Sequence, residues 1–211
     1  MCAANAIGVS SYRKENMEPQ TNAVEDMFGQ EALGLENQGA SLKDIVMYPN
    51  PLLREKSSLF LGSIPHDGTL QKLMNDMVRT MTETRAMGLS AIQVGVPVRV
   101  LVVMTDDGPV KMVNPVVKAV GGNQYSDEGC LSLPFIYTKI NRPEQTTVTY
   151  FNEKGDSVTF EYEGVTARAV LHEIDHLDGV LFLDKMNFVQ RESTLKKFKR
   201  TKKKMQRDFG E

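Results

Sequence analysis

The chain of 211 residues has no tryptophan, two cysteines and three histidines. Two cysteines are too few for the disulfide framework of a small secreted domain, so the interior Cys130 is better interpreted as a metal ligand or a nucleophile. The strongest apolar run, Val100 to Met104, is far shorter than the ~20 residues that span a bilayer. We also expect no secretory signal, because no apolar stretch follows a basic start. A composition of 41% hydrophobic and 25% charged residues indicates one ordinary globular domain.

The formal net charge of -2 hides two segments of opposite sign. Residues 1–41 carry six acidic and two basic residues without a sustained apolar period, so we expect an acidic, mobile extension with a short helix near Val24 to Leu35. Residues 185–207 hold ten of the 25 Lys and Arg residues and one acid, a net charge of +9. Their partial apolar stripe predicts a basic amphipathic helix at the C-terminus.

The apolar pattern between these segments predicts an α+β fold. Helical spacing from Leu70 to Met81 indicates an amphipathic helix that Gly88 terminates, and a second helix is expected from Val165 to Leu177. Short β-branched segments predict strands at Arg99 to Met104, Lys111 to Val113, Val116 to Val120, Thr146 to Phe151, Ser157 to Tyr162 and Val180 to Leu183. Since the strands cluster around the second helix and do not alternate with helices, we expect short antiparallel strands packed around a central helix.

The second predicted helix contains His172-Glu173-Ile174-Asp175-His176. Four residues along a helix return to nearly the same face, so the two imidazoles can bind one metal ion. Glu173, next to the first histidine, is then placed to act as a general base on the attacking water. Two ordinary helical histidines would give the same pattern without a metal.

Two histidines leave a catalytic metal site of the zinc type one ligand short. His66 lies in a Pro-His-Asp-Gly turn that is typical of a surface loop. Cys130 is the better candidate, because the adjacent glycine and nearby proline of Glu128 to Pro134 predict an irregular backbone at the end of the strand region. A thiolate and two imidazoles would leave a fourth position open, whereas a structural role would simply bury Cys130.

The segment Gly88 to Gly95, GLSAIQVG, is rich in small residues. Such a segment lets the backbone approach a ligand closely, and Gln93 offers an amide donor for a developing oxyanion. A tight helix-to-strand connection with a surface glutamine would show the same pattern.

The segments GLSAIQVG, EGCLSLP (128–134) and HEIDHLDG (172–179), in this order and spacing, resemble the three signature motifs of peptide deformylases. The segment YPNPLLR (48–54) resembles the start of the catalytic domain in that family. The resemblance extends from about Leu42 to Met186. It implies an extension at 1–41, a catalytic domain at 42–186 and the basic helix at 187–211.

The resemblance implies that Cys130, His172 and His176 bind the metal and that Glu173 is the catalytic base. Family members work best with ferrous iron, and often accept nickel, cobalt or zinc. Fe²⁺ is therefore the expected ion, with Ni²⁺, Co²⁺ or Zn²⁺ as alternatives.

Further roles are implied for residues around the metal. Gln93 and the backbone N–H of Leu131 would stabilise the oxyanion, and Glu128 would pair with Arg142. Arg168 lies one helical turn before His172, where the family has apolar residues around the methionine side chain of the substrate. We therefore expect Arg168 to face the cleft and favour polar or acidic substrates, or else to extend to solvent.

The implied function is removal of the formyl group from the N-terminal formylmethionine of new polypeptides, with release of formate. The implied protein is a cytoplasmic monomer of bacterial type, without membrane contact, that binds the ribosome through its basic helix; an organellar location stays open. Two alternatives compete with this interpretation. One is a metallopeptidase, since H-E-x-x-H is shared with zinc proteases, and the other is a ribosome- or nucleic-acid-binding module without activity.

Overall fold

The computed structural model describes residues 6–7 and 39–209, which contain three α-helices and nine β-strands. The helices are α1 (Gly68–Glu83), α2 (Gly164–Leu177) and α3 (Phe188–Phe209). The strands are β1 (Ala6–Ile7), β2 (Ile45–Val46), β3 (Gly88–Ser90), β4 (Val100–Thr105), β5 (Gly108–Gly121), β6 (Gln124–Cys130), β7 (Leu133–Arg142), β8 (Gln145–Phe151) and β9 (Ser157–Glu163). Short 3-10 helices cover Pro51–Arg54, Ile64–His66, Ala91–Val94 and Phe182–Lys185.

All paired strands are antiparallel. Five form one sheet in the order β3-β4-β5-β8-β9, β6 and β7 form a separate hairpin, and β1 pairs with β2. This arrangement confirms the predicted α+β class. The expected helix near residues 24–35 lies outside the described residues, as does most of the acidic extension.

The five-stranded sheet lies between α1 and α2. Successive side chains of a strand point to opposite faces, so Val100, Val102 and Met104 of β4 pack in the cluster that contains the α1 methionines. Leu101 and Val103 pack with α2 on the other face. Burial on both faces explains why β4 is the strongest apolar run of the sequence.

The β6–β7 hairpin packs against the C-terminal part of the chain. Leu133, Ile136 and Ile140 share a buried cluster with Phe182 and Phe198. The ring of Phe198, on α3, also contacts Tyr48 edge to face, with 5.9 Å between ring centroids. The basic helix is therefore attached to the folded domain through its apolar side.

Several local predictions are confirmed and some are wrong. The two predicted helices lie within α1 and α2, and the predicted 146–151/157–162 hairpin is β8–β9. Gly88 does not end a helix, because α1 ends at Glu83 and Gly88 begins β3. The predicted strand at 180–183 is wrong, since Phe182–Lys185 forms a 3-10 helix in which Asp184 accepts a hydrogen bond from the N–H of Leu181.

Two predicted strands are parts of one, and one hairpin was not predicted. β5 runs continuously from Gly108 to Gly121, and its register with β8 shifts near Asn114, which has a φ of 52°. The β6–β7 hairpin was not predicted, because β6 contains two adjacent acids, of which Asp127 is exposed and Glu128 is buried at the site. No helix in the described part of the chain is long and apolar enough to cross a membrane.

Asp76 of α1 is a buried carboxylate that attaches the start of the domain to this helix. It accepts a hydrogen bond from the Ser41 backbone N–H at 2.7 Å, and Lys43 and Lys72 each place an ammonium 2.9 Å from it. Burial opposes its ionisation, but these donors outweigh burial and lower the pKa of Asp76 from 3.8 to about 2.

We expect Asp76→Asn to lower the free energy of unfolding at pH 7 by about 2 kcal/mol. Because the folded-state pKa is depressed, this stabilisation is present above pH 4 and is lost as the pH falls toward 2. Urea unfolding of wild type and Asp76→Asn between pH 7 and pH 2 should therefore converge at the acid end. The exposed Asp107, changed to Asn, is the control and should behave as wild type throughout. A constant difference between Asp76→Asn and wild type would contradict the assignment.

Candidate metal centre

Helix α2 brings His172 and His176 together as their spacing predicts. The two Nε2 atoms are 3.2 Å apart, and both residues are buried. The helix is oriented by Ala167, Val170 and Ile174, which pack against the sheet.

Cys130 supplies the third donor from the end of β6. Its Sγ lies 3.2 Å from Nε2 of His176, and the ligand atoms of Cys130, His172 and His176 all lie within 4.8 Å of one another. The strand register shifts between Gly129 and Cys130, which turns the thiol toward α2. A Cβ at Gly129 would lie only 2.6 Å from Cε1 of Tyr137, so the glycine lets the two strands approach here.

These three donors fit one divalent ion. With metal–ligand bonds of about 2.0–2.3 Å, neighbouring donors of a tetrahedral ion lie about 3.3–3.6 Å apart. This is close to the 3.2 Å that separates Nε2 of His176 from Nε2 of His172 and from Sγ of Cys130. A thiolate and two imidazoles suit a late first-row metal, and three protein ligands leave one position open. His66, the other histidine considered as a ligand, lies in the 3-10 helix at 64–66 and does not belong to this cluster.

Glu128 orients the first histidine. Its Oε1 lies 2.6 Å from Nδ1 of His172, so the Nε2 atom of that ring is left to face the other donors. Arg142 donates to both oxygens of Glu128, each at 2.7 Å, which is the pairing that the family resemblance implies. Burial opposes ionisation, but the hydrogen bonds from Arg142 and His172 hold the pKa of Glu128 well below its usual range.

Glu173 lies on the same helix and is buried beside β3. Its Oε2 has no hydrogen-bond partner among the described residues, and burial raises the pKa of Glu173 to about 7, against the opposing effect of His172. Gly88 makes room for this side chain, because a Cβ there would lie 2.7 Å from Cγ of Glu173. The carboxylate is thus placed beside the ligands without being one of them.

Gln93 lies in the 3-10 helix at 91–94 and is buried. Its Oε1 accepts hydrogen bonds from the backbone N–H and the hydroxyl of Ser90, at 2.9 and 2.8 Å. This fixes the amide so that Nε2 points toward Sγ of Cys130 at 3.6 Å and Oγ of Ser132 at 3.4 Å. Leu131, whose N–H is the other expected donor, directly follows Cys130 and is buried.

The expectation for Arg168 is wrong in both of its forms. The side chain is buried, so it does not extend to solvent, and its guanidinium binds the β6–β7 hairpin and does not face an open cleft. Its Nη1 donates to Oε2 of Glu128 at 2.8 Å, and its Nη2 donates to the carbonyls of Gln124 and Ile140 at 3.2 and 3.0 Å. Helical spacing placed Arg168 near His172 correctly, but could not reveal that the β6–β7 hairpin covers that face.

Asp175 was missed as part of this network. It accepts a hydrogen bond from Nη1 of Arg142 at 2.8 Å and pairs with Lys185 at 3.1 Å. Its position between the two histidines was the available signal, since it lies on α2 three residues after His172.

Three convergent donors, a buried carboxylate and a fixed amide define the class of a mononuclear metal-dependent hydrolase. Comparison with known proteins defines the family. Residues 42–192 match the family model for polypeptide deformylase. The peptide deformylase of Bartonella quintana is 37% identical over 169 residues, which cover 77% of this chain and 94% of that protein.

Solved structures agree with this. A peptide deformylase from Legionella pneumophila superposes with a TM-score of 0.74 at 32% identity, covering 79% of this chain and 99% of that one. A class I type b peptide deformylase from Acinetobacter baumannii with Met-Ala-Ser bound has a TM-score of 0.66 at 28% identity, covering 71% and 100%. The chain belongs to the peptide deformylase family.

Gly88→Ala tests the contact between β3 and Glu173. The new methyl group has to displace the Glu173 carboxylate, and a misplacement of about 1 Å can reduce kcat roughly 100-fold. We expect that loss in hydrolysis of a formylated tripeptide, with metal content unchanged by elemental analysis. Gly68→Ala is the matched control, because nothing lies within 4 Å of its Cβ position. Wild-type kcat in Gly88→Ala would show that the contact does not position the carboxylate.

Proposed function

We propose that this chain hydrolyses the formyl group of N-terminal formylmethionine on newly synthesised polypeptides, releasing formate and a free amine. The observation that carries the proposal is the convergence of Cys130, His172 and His176 beside the buried carboxylate of Glu173, whose Oε2 has no hydrogen-bond partner among the described residues. Membership of the deformylase family supports the reaction, and the Met-Ala-Ser bound by the Acinetobacter baumannii relative is a peptide with N-terminal methionine.

Cys130, His172 and His176 would hold the metal ion, which when bound supplies Lewis acidity to the attacking water and the formyl oxygen. The hydrogen bond from His172 to Glu128 keeps the Nε2 of His172 directed toward the other two donors. The ion itself is proposed to be Fe²⁺, with Ni²⁺, Co²⁺ or Zn²⁺ as substitutes, since a mixed thiolate and imidazole set accepts most late first-row ions. Metal analysis after anaerobic purification tests this assignment.

Glu173 is proposed as the general base. It takes a proton from the water as the water oxygen attacks the formyl carbon, and returns that proton to the amine nitrogen as the C–N bond breaks. The products are formate and the amine, so the carboxylate ends in its starting state. Its burial suits this role, because a base with a pKa near 7 can both accept and release a proton at neutral pH.

Gln93 and the backbone N–H of Leu131 are proposed to stabilise the oxyanion. Gln93 is suited to this because Ser90 fixes its amide oxygen and leaves the NH₂ group facing Cys130. A donor fixed in this way does not have to reorient during the reaction, and one such donor contributes about 3 kcal/mol to lowering a comparable barrier.

The metallopeptidase alternative is less well supported. Proteases with the H-E-x-x-H motif take a third ligand downstream of the helix, whereas here Cys130 lies upstream, on β6. Measuring formate release from formyl-Met-Ala-Ser beside casein cleavage separates the two functions. Formate release without casein cleavage is the expected result.

Glu173→Ala should lower kcat by at least about 1000-fold, because the base is lost. The variant should still bind one metal ion per chain, since Glu173 is not a ligand. His172→Ala is the comparison, and should lose both activity and metal. The measurements are formate release and metal content of the same preparations; near-normal turnover in Glu173→Ala would refute the proposed mechanism.

A second proposal concerns the basic helix, which we expect to bind the ribosome. Its apolar side packs on the domain through Phe198, while the opposite side presents seven exposed cations: Lys196, Lys197, Lys199, Arg200, Lys203, Lys204 and Arg207. Such a surface suits the phosphate backbone of RNA. We also propose that the protein acts in the cytoplasm, because nascent chains are its substrate, and that it acts as a monomer. An organelle with its own formylated protein synthesis would offer the same substrate.

The helix proposal is tested by charge removal, since truncation would uncover the partners of Phe198. Changing Lys199, Lys203 and Lys204 to Gln should weaken co-sedimentation with ribosomes at low salt and make it less salt-dependent, while hydrolysis of a formylated tripeptide stays at the wild-type rate. The matched control changes three exposed lysines elsewhere, Lys56, Lys118 and Lys154. Equal effects of the two triple variants would assign the binding to net charge and contradict a role for the helix.

A further inference from the structure

The buried guanidinium of Arg168 joins the two elements that supply the metal ligands. Arg168 belongs to α2, which carries both histidines, and its hydrogen-bond partners all belong to the β6–β7 hairpin, which carries Cys130. We propose that Arg168 is a positioning residue for the metal centre, which holds Glu128 against His172 and the hairpin against α2.

The first part of the argument concerns the carboxylate of Glu128. Its Oε1 accepts from Arg142 and His172, and its Oε2 accepts from Arg142 and Arg168 at 2.7 and 2.8 Å. Each oxygen therefore has two donors, which uses the acceptor capacity of an ionised carboxylate. Without Arg168, one buried acceptor position on Oε2 is empty, and only Arg142 and His172 still hold the carboxylate.

The second part concerns the backbone of the hairpin. Nη2 of Arg168 donates to the carbonyl of Gln124 in β6 and to that of Ile140 in β7. One side chain thus binds both strands, at the end of β6 opposite to Cys130. This fixes how the strand that ends in Cys130 lies against α2.

Arg142 makes the corresponding link from the opposite direction. It belongs to β7, and it binds Asp175 on α2 as well as Glu128. The two arginines therefore reach across the same interface from opposite sides and meet at one carboxylate. Because Arg142 stays in place when Arg168 is changed, we expect a weakened metal site in a folded protein.

The experiment measures metal affinity in the absence of substrate. Apo wild type and Arg168→Met are titrated with Co²⁺ against a chelator, with the Co²⁺ absorption spectrum as a second readout. Hydrogen-bond partners of ligating histidines typically change metal affinity 10- to 100-fold, so we expect Arg168→Met to raise the Kd for Co²⁺ by about 10-fold or more. The inference rests on the proposed metal site, but a protein that binds Co²⁺ and fails to release formate would overturn the proposed reaction alone.

Arg99→Met is the matched control. Arg99 also binds one carboxylate and two carbonyls, namely Asp178 at 2.6 Å and the carbonyls of Leu177 and Pro115 at 3.4 Å. It contacts the end of α2 without touching Glu128. We expect Arg99→Met to lower the stability of the apo protein without changing the Kd for Co²⁺. An equal rise in Kd for both variants would overturn the proposal, since general loosening of α2 would then explain it.

A double-mutant cycle tests whether Arg168 acts through Glu128. In a Glu128→Gln background, the added effect of Arg168→Met on the Kd should shrink, because the shared carboxylate is already lost. Full additivity would overturn the Glu128 part of the proposal. If Arg168→Met does not fold, Arg168→Lys replaces it: lysine keeps the charge but cannot reach Glu128 and both carbonyls together, so it should raise the Kd by a smaller factor. A wild-type Kd in Arg168→Lys would then overturn the proposal.

Discussion

The structure around the metal ligands depends on one buried anion, the carboxylate of Glu128. Removing a carboxylate from water is costly, and it is stable here because four donors surround it. Those donors come from α2 and from β7, so the requirement to neutralise one charge brings a helix and a hairpin together. The ligands on these two elements converge as a result. His176, by contrast, has no hydrogen-bond partner at Nδ1 within the described part of the chain, so only His172 is oriented through a carboxylate.

Site residues could be predicted from the sequence when their partners lie close along the chain, and could not when the partners are distant. His172 and His176 lie four residues apart on one helix, so local spacing was enough to place them together. Cys130 could be proposed only because a metal site needs a third donor, and the sequence could not choose between burial and ligation. Arg168 shows the limit of such reasoning: its position on α2 was correct, but its partners come from residues 28 to 44 positions away and no local pattern reveals them.

In the fold too, elements with a regular apolar pattern were predicted, and elements that depend on distant or local polar contacts were not. α1, α2 and the β8–β9 hairpin follow from apolar periodicity, because each buries one face. β6 was missed since its inward residues include Glu128, a charged side chain that a strand pattern assigns to solvent. Residues 180–183 look like a strand from their apolar side chains, but Asp184 closes a turn of 3-10 helix by binding the N–H of Leu181. At β6, the strand pattern fails because a functional carboxylate is buried. At residues 180–183, it fails because the hydrogen bond to Asp184 favours a 3-10 helix.

The contact between Phe198 and Tyr48 restricts how the basic helix can move relative to the domain. Because the basic helix is fixed to the domain and not joined by a flexible tether, a surface that binds its cationic side also determines the direction in which the metal cleft opens. A tethered arm would raise the local concentration of the domain and leave its orientation free. Because the helix packs on β7, binding of its cationic side also fixes the orientation of the metal site relative to the bound surface.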